Sequence, residues 1–384
     1  MLKIFFLQDK FKNSGVFVKD GNCLKLNRTV VLVVISLLVA LIGLLFISHN
    51  EGYYHKTIAK VTALTDQYSL DKQTDNQRIQ AVILNGSYKG QEVTLENKAA
   101  NSQALNLKFK INDEVFVQVQ GDINKRAISA EITGFKRDNY IAYVTFIFVV
   151  LILSIAGSKG LRSLSSLVIN VLIISVVFAL YLRGGNLILV SSVASFLFIF
   201  TSLFLVGGIN RKTFSAILGT ILATLMAMLI ALVIFKATDG NGIHYEEMEF
   251  LTSPPEPIFI AEILIGTLGA IMDIAITMSA SIQEMYNRNP HVERKLILNS
   301  AREIGKDIMG TMTNTLVFAY FSGSIPMILL WLKNGYPLYE IVNINISLEV
   351  IRILTGSIGI VISIPITMYI AMVLLKNHKI GLRS

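Results

Sequence analysis

Residues 258–284 read IFIAEILIGTLGAIMDIAITMSASIQE, and this stretch decides the fold. A hydrocarbon core of about 30 Å takes about 20 mostly apolar residues in a helix to cross. Here only Glu262 and Asp273 break the apolar run before Glu284. Seven more stretches have this character, at roughly 29–48, 140–158, 163–182, 186–206, 213–235, 307–332 and 347–375. Composition agrees, with 53% hydrophobic and 16% charged residues, against about 25% charged in a soluble chain. The expected class is membrane all-α with about eight transmembrane helices.

One segment breaks the pattern. Residues 49–139 hold no span and alternate like strands. Ile79, Ala81 and Ile83 alternate with Gln80, and Val93 and Leu95 sit between Glu92, Thr94 and Glu96. Val115, Val117 and Val119 alternate with Gln118 and Gln120, and Ile128, Ala130 and Ile132 alternate with Ser129, Glu131 and Thr133. Asn85-Gly86, Lys89-Gly90, Asn112-Asp113 and Gly121-Asp122 read as turns between them. With a strand over Tyr53–Leu64 this gives about five, enough for a small β-rich domain, OB-like or a small barrel, between the first and second helices.

Lys and Arg set the orientation, because cytoplasmic loops collect them. With the N-terminus inside, the tails and inner loops carry eighteen, whereas the short outer loops carry only Arg183, Lys236 and Lys333. Both termini are therefore expected in the cytoplasm and 49–139 outside. The expected order is a basic tail over 1–28, an uncleaved anchor over 29–48, the β-rich domain over 49–139, seven helices over 140–375 and a tail over 376–384. The net charge of +8 fits this bias and calls for no nucleic acid. Cys23 is the lone cysteine, so no disulfide or cysteine-built metal site can form within one chain.

Ionisable groups inside a bilayer mark function by default. The first five spans hold almost none, although Asn170 lies mid-helix, and they read as scaffold. In the sixth, Gly266, Gly269, Ala270, Asp273, Thr277, Ala280, Ser281 and Glu284 share one side at 100° per residue, opposite Ile263, Leu264, Ile271, Ile274 and Met278. That stripe can line a polar cavity or pack against another helix. The seventh repeats Asp307, Thr311, Thr315, Phe318 and Ser322, with Asn314 nearby and a helix break expected at Gly323 to Pro326. The eighth pairs Glu349 with Arg352 at i, i+3. Depth sorts these into two layers: an outer ionic one of Glu262, Glu349 and Arg352, and an inner one of Asp273, Thr311, Asn314 and Thr315. Between the sixth and seventh spans, Leu296, Ile297, Ser300 and Ile304 predict an amphipathic helix lying in the interface.

GTLGAIMDIAITMSASIQE over 266–284 and NSAREIGKDIMGTMTNTLVFAYFSGSIP over 299–326 resemble the signature of the YibE/F-like family of bacterial multi-pass membrane proteins. The resemblance extends over about the whole chain, with its most specific part in a core over 258–332. It implies a plasma-membrane protein and carries no activity over.

The leading functional expectation is a permease-like secondary transporter or channel-like protein for a small solute or ion. It would use the last three spans, with Asp273, Thr277, Glu284, Thr311, Asn314 and Thr315 binding a proton or cation. The alternative is a non-transporting membrane subunit whose outer domain binds a partner. Zinc-protease, nucleophile-elbow and phosphate-loop motifs are missing and all five histidines lie outside the spans, so no enzyme, cofactor or metal is expected. Expected partners are the lipid bilayer and a second copy or a paralogous membrane protein.

Overall fold

The computed structural model describes residues 28–68, 74–100, 108–120, 129–237, 243–248 and 254–376. The basic tail before Arg28, Cys23, the Gly121-Asp122 turn, Ile128 and the C-terminal tail after Lys376 lie outside them. The chain divides into two compact units, Met1–Leu161 and Arg162–Ser384.

The first unit holds helix α1 (Arg28–Ser48), a five-stranded sheet and the start of helix α2 (Asp138–Leu182). The strands are β1 (Thr57–Tyr68), β2 (Thr74–Ile83), β3 (Glu92–Ala100), β4 (Glu114–Gln120) and β5 (Ser129–Phe135). The first begins later than its sequence predicts, because Glu51–Tyr53 forms a 3-10 turn. The strands close in the order β1-β2-β3-β5-β4, antiparallel except where Thr94 of β3 meets Ser129 of β5. Alternation works as expected: Ala59, Val61, Ile79, Ala81, Ile83, Val93, Leu95, Val115 and Val117 fill the interior. Gly86, Gly90 and Asn112 take the positive φ that their turns demand (78°, 83° and 75°).

Two polar residues organise this barrel from inside. Asn85 accepts from Ile58 N–H at 2.7 Å and donates to the carbonyls of Glu51, Tyr54 and Lys56 at 2.8, 3.2 and 3.0 Å. It therefore ties the chain entering β1 to the β2–β3 turn. Gln77 accepts from Phe109 N–H at 3.0 Å and from the Asn97 amide at 3.2 Å. Where the barrel leads into α2, Lys136 is 2.5 Å from Glu114 and Tyr54 donates to Asp138.

The α2 run has 45 residues, about 67 Å at 1.5 Å each, too long for one crossing. Gly157 breaks it with φ 55° and ψ −127°. The sequence reads a short loop at 159–162; the structure uses one residue.

The second unit continues with α3 (Leu187–Gly207), α4 (Arg211–Ala237), α5 (Pro255–Arg288), α6 (Arg294–Lys333) and α7 (Ser347–Lys376). With α2, these are six helices long and apolar enough to cross a membrane. Asn210 joins α3 to α4, accepting from Thr213 N–H at 3.0 Å and donating to the Gly207 carbonyl at 2.7 Å. Close approach rests on glycine. A Cβ on Gly219 of α4 would collide with Thr367 of α7. One on Gly359 would meet Ile271 at 2.8 Å and Ala227 at 3.3 Å. Small residues at such crossings let helices pack without a hydrophobic driving force in lipid.

Two expectations are corrected here. The amphipathic stretch is no separate interfacial helix: α6 runs unbroken from Arg294 to Lys333, 40 residues. Ile297, Ala301 and Gly305 are buried in it, against a cluster that includes Met368, Met372 and Leu375. Pro326 lies inside this helix rather than ending it. A proline interrupts one backbone bond without stopping a helix that neighbours hold.

Candidate functional site

The outer ionic layer is a structural unit. Arg352 of α7 donates to Glu349 one turn back at 2.6 Å and, across the interface, to Glu262 of α5. Its guanidinium also stands over the Phe259 ring, 5.2 Å from the centroid. The Arg352 side chain is 13% exposed, against 24% for Glu349 and 42% for Glu262. The charge best sequestered from solvent is thus the one with two partners, as a desolvated cation requires.

Beside this triad lies a cavity of about 660 Å³. Glu262, Glu349, Arg352 and Gly323 line it, joined by Tyr181, Glu247, Tyr320, Ser324, Met327 and Trp331. Gly323 therefore lies where its sequence position implies, level with the triad, but as part of a wall and not as a break. Glu247 is held by an amide hydrogen bond from Asn345 at 3.0 Å. Tyr320 presents its hydroxyl toward Gly266, where a Cβ would occupy the same space.

The inner layer is arranged differently. α5 turns its apolar side into the bundle, with Ile263, Ile271, Ile274 and Met278 wholly buried. Gly266, Gly269, Asp273, Thr277 and Glu284 are left exposed. Thr311, Asn314 and Thr315 of α6 are exposed as well, and none of these residues lines the cavity. Their hydroxyls are used locally: Thr277 donates to Asp273 O at 2.7 Å and Thr315 to Thr311 O at 2.9 Å. Leu316 packs beside Thr267 and Gly356. Six residues down α5 and five down α6 are descents of about 9 and 7.5 Å, which puts Thr311 at the depth of Asp273. Glu284, at the end of α5, pairs with Arg288 at 2.8 Å. The polar stripe therefore marks an open face of the second unit.

The first spans carry no comparable ionic group among the described residues. Asn170 of α2 donates to Ser202 at 2.8 Å and accepts from Thr201 at 3.2 Å, a polar clasp to α3.

Sequence patterning does not single out Tyr181, Glu247, Tyr320 or Trp331. Glu247 sits in a 3-10 turn, Tyr245–Glu247, in a segment that reads as an outer loop. Trp331 carries a usable signal, being the single tryptophan of the chain.

An N-terminal small barrel followed by a bundle of apolar helices, with an ion triad inside the bundle, defines a polytopic membrane protein with a soluble-type domain. The chain belongs to the YibE/F-like protein family: that family's model matches residues 144–377, and the YibE/F family N-terminal domain matches 52–135. No curated protein matches the chain, and no solved structure does.

Proposed function

We propose that the protein is a permease-like carrier of a small solute or ion, with its binding site among α5, α6 and α7. In this reading it crosses the plasma membrane eight times, counting α1 and two crossings for the broken α2. The termini are cytoplasmic, the barrel is outside, and the protein has no enzymatic activity. The topology rests on the Lys and Arg bias of eighteen against three.

The carrying observation is the cavity bordered by an ion triad, with Arg352 its most sequestered member, in a bundle of helices long and apolar enough to cross a membrane. Charges in such a place are expensive, and where they persist they line pathways and sites. Asp273 is the proposed coupling group, a carboxylate on the same helix as Glu262 about 16 Å further along.

Everted vesicles containing the wild-type chain and loaded with a pH-sensitive dye test this against a panel of amines, amino acids and inorganic salts. A solute-dependent proton movement that Asp273→Asn abolishes is the expected result. Silence across the panel, with correctly inserted protein, contradicts the carrier reading.

The exposed stripe of Asp273, Thr277, Thr311 and Asn314 favours a second reading, a membrane subunit whose partner covers that face. In that case the purified chain would co-migrate with a partner, and Asp273→Asn would release the partner without moving any solute.

A further inference from the structure

We infer that the cavity beside the Arg352 triad takes a small organic cation, of the amine or quaternary ammonium class. This rests on the reading of that cavity as a binding site, and four features of its wall narrow the ligand.

Size comes first. A volume of about 660 Å³ lies within the roughly 300–1,000 Å³ of small-molecule pockets and far exceeds what a bare ion fills. Charge comes second. The wall carries three carboxylates, Glu247, Glu262 and Glu349, against one guanidinium, Arg352. Arg352 is already engaged by two of them, and the excess is two negative charges. An anion would enter against this field, whereas a cation would be drawn in.

Third, the carboxylates are not gathered as metal ligands. Among the described residues no three His, Cys, Asp or Glu side chains form a group that could hold a metal ion. Fourth, among aliphatic and small polar residues the wall also carries aromatic and soft side chains: Tyr181, Tyr320, Trp331 and Met327. Ring faces attract ammonium groups that have shed their water, best of all with Trp, and they suit an alkylated cation better than a small hydrated one. Carboxylates with aromatic faces in a roomy pocket match a cation that is charged and partly apolar.

Trp331, the chain's single tryptophan, reports from the wall itself. The full chain in detergent micelles is titrated with tetramethylammonium chloride while tryptophan emission is recorded, and equilibrium dialysis of the same labelled cation gives a second reading of binding. The expected result is a saturable change absent with sodium chloride at equal ionic strength and absent with neutral tert-butanol. Glu247→Gln, which keeps an acceptor for Asn345, and Tyr320→Leu should each weaken binding by about tenfold while eluting as monodisperse protein. Either variant carries the test if the other fails to fold. Equal responses to sodium, equal binding of tert-butanol, or no saturable binding by either method would overturn the assignment. Saturable binding without vesicle transport would refute the carrier but keep the site. Transport of other solutes by a chain that does not bind the cation would do the reverse.

Discussion

Arg352 on α7 and Glu262 on α5 meet across a helix interface although 90 residues separate them. Glu349 holds the other side of the same guanidinium at 2.6 Å. Removing Arg352 leaves two carboxylates without their shared cation. A fully buried pair loses about 3–5 kcal/mol in this way, and the 42% exposure of Glu262 keeps the loss below that range. Arg352→Ala should therefore lower the yield and melting temperature of the detergent-solubilised chain. Adding Glu262→Gln and Glu349→Gln should recover part of that loss, because the uncompensated carboxylates are gone. Strictly additive losses in fluorescence-detected gel filtration would show that the three do not act together.

Asn85 makes four hydrogen bonds while only 7% exposed. Asn85→Ala would strand one amide N–H and three carbonyls, so the loss should reach about 2–3 kcal/mol. Residues 50–138 expressed alone are expected to give a strand-type circular dichroism spectrum with a cooperative melt, and the substitution should lower that melt. An unchanged midpoint would show that Asn85 does not hold the barrel, and a disordered wild-type spectrum would show that the barrel does not fold alone.

Glycines of the bundle sort by what a Cβ would meet. Gly359→Val should destabilise by about 1–3 kcal/mol through overpacking against Ile271 and Ala227. Gly269 lies on the open face of α5 with nothing within 4 Å of that position. Gly269→Ala should thus be neutral or stabilising by up to about 1 kcal/mol. Comparing thermal melts checks the pair. A large loss at Gly269 would mean that another chain packs there.

Much of this architecture is legible in the amino-acid sequence, and the limits have physical causes. Period-2 alternation marks the strands, because most inward side chains must be apolar for a barrel this small to fill. Gln77, buried in β2 and hydrogen-bonded to Phe109 and Asn97, is an exception that alternation does not reveal. Depth along the helices places Glu262, Glu349 and Arg352 together, since helix rise is fixed and charges in lipid must find one another. It does not say which side of α5 faces inward. Helical periodicity separates Ile271, Ile274 and Met278 from Asp273 and Thr277, but in a membrane either side can pack inward. Amphipathic patterning over Leu296–Ile304 predicts a separate helix. Continuity with α6 wins instead, because Ile297 and Ala301 find the α7 cluster. Glu247 is invisible as a site residue, and Trp331 is marked only by being the single tryptophan, because a loop and a helix end meet there through tertiary packing alone.

Asp273 is the proposed coupling group, and it lies outside the cavity lining. Asp273→Asn keeps size and hydrogen bonding but cannot titrate, so the variant should fold and insert while losing solute-coupled proton movement. Asp273→Glu should retain part of it. An Asn variant that supports every vesicle response of the wild type would reduce Asp273 to packing.

A binding site for a solute taken from outside must admit water, and the cavity beside Arg352 can be probed for it. In a chain with Cys23 replaced by serine, a cysteine is introduced at Ser324, on the cavity wall, or at Leu268, which is 1% exposed. Intact cells are then treated with a membrane-impermeant maleimide. The expected result is labelling of Ser324→Cys from outside, with Leu268→Cys silent. Labelling of Ser324→Cys only after permeabilisation, or only after denaturation, would contradict a water-filled site opening to the outer side.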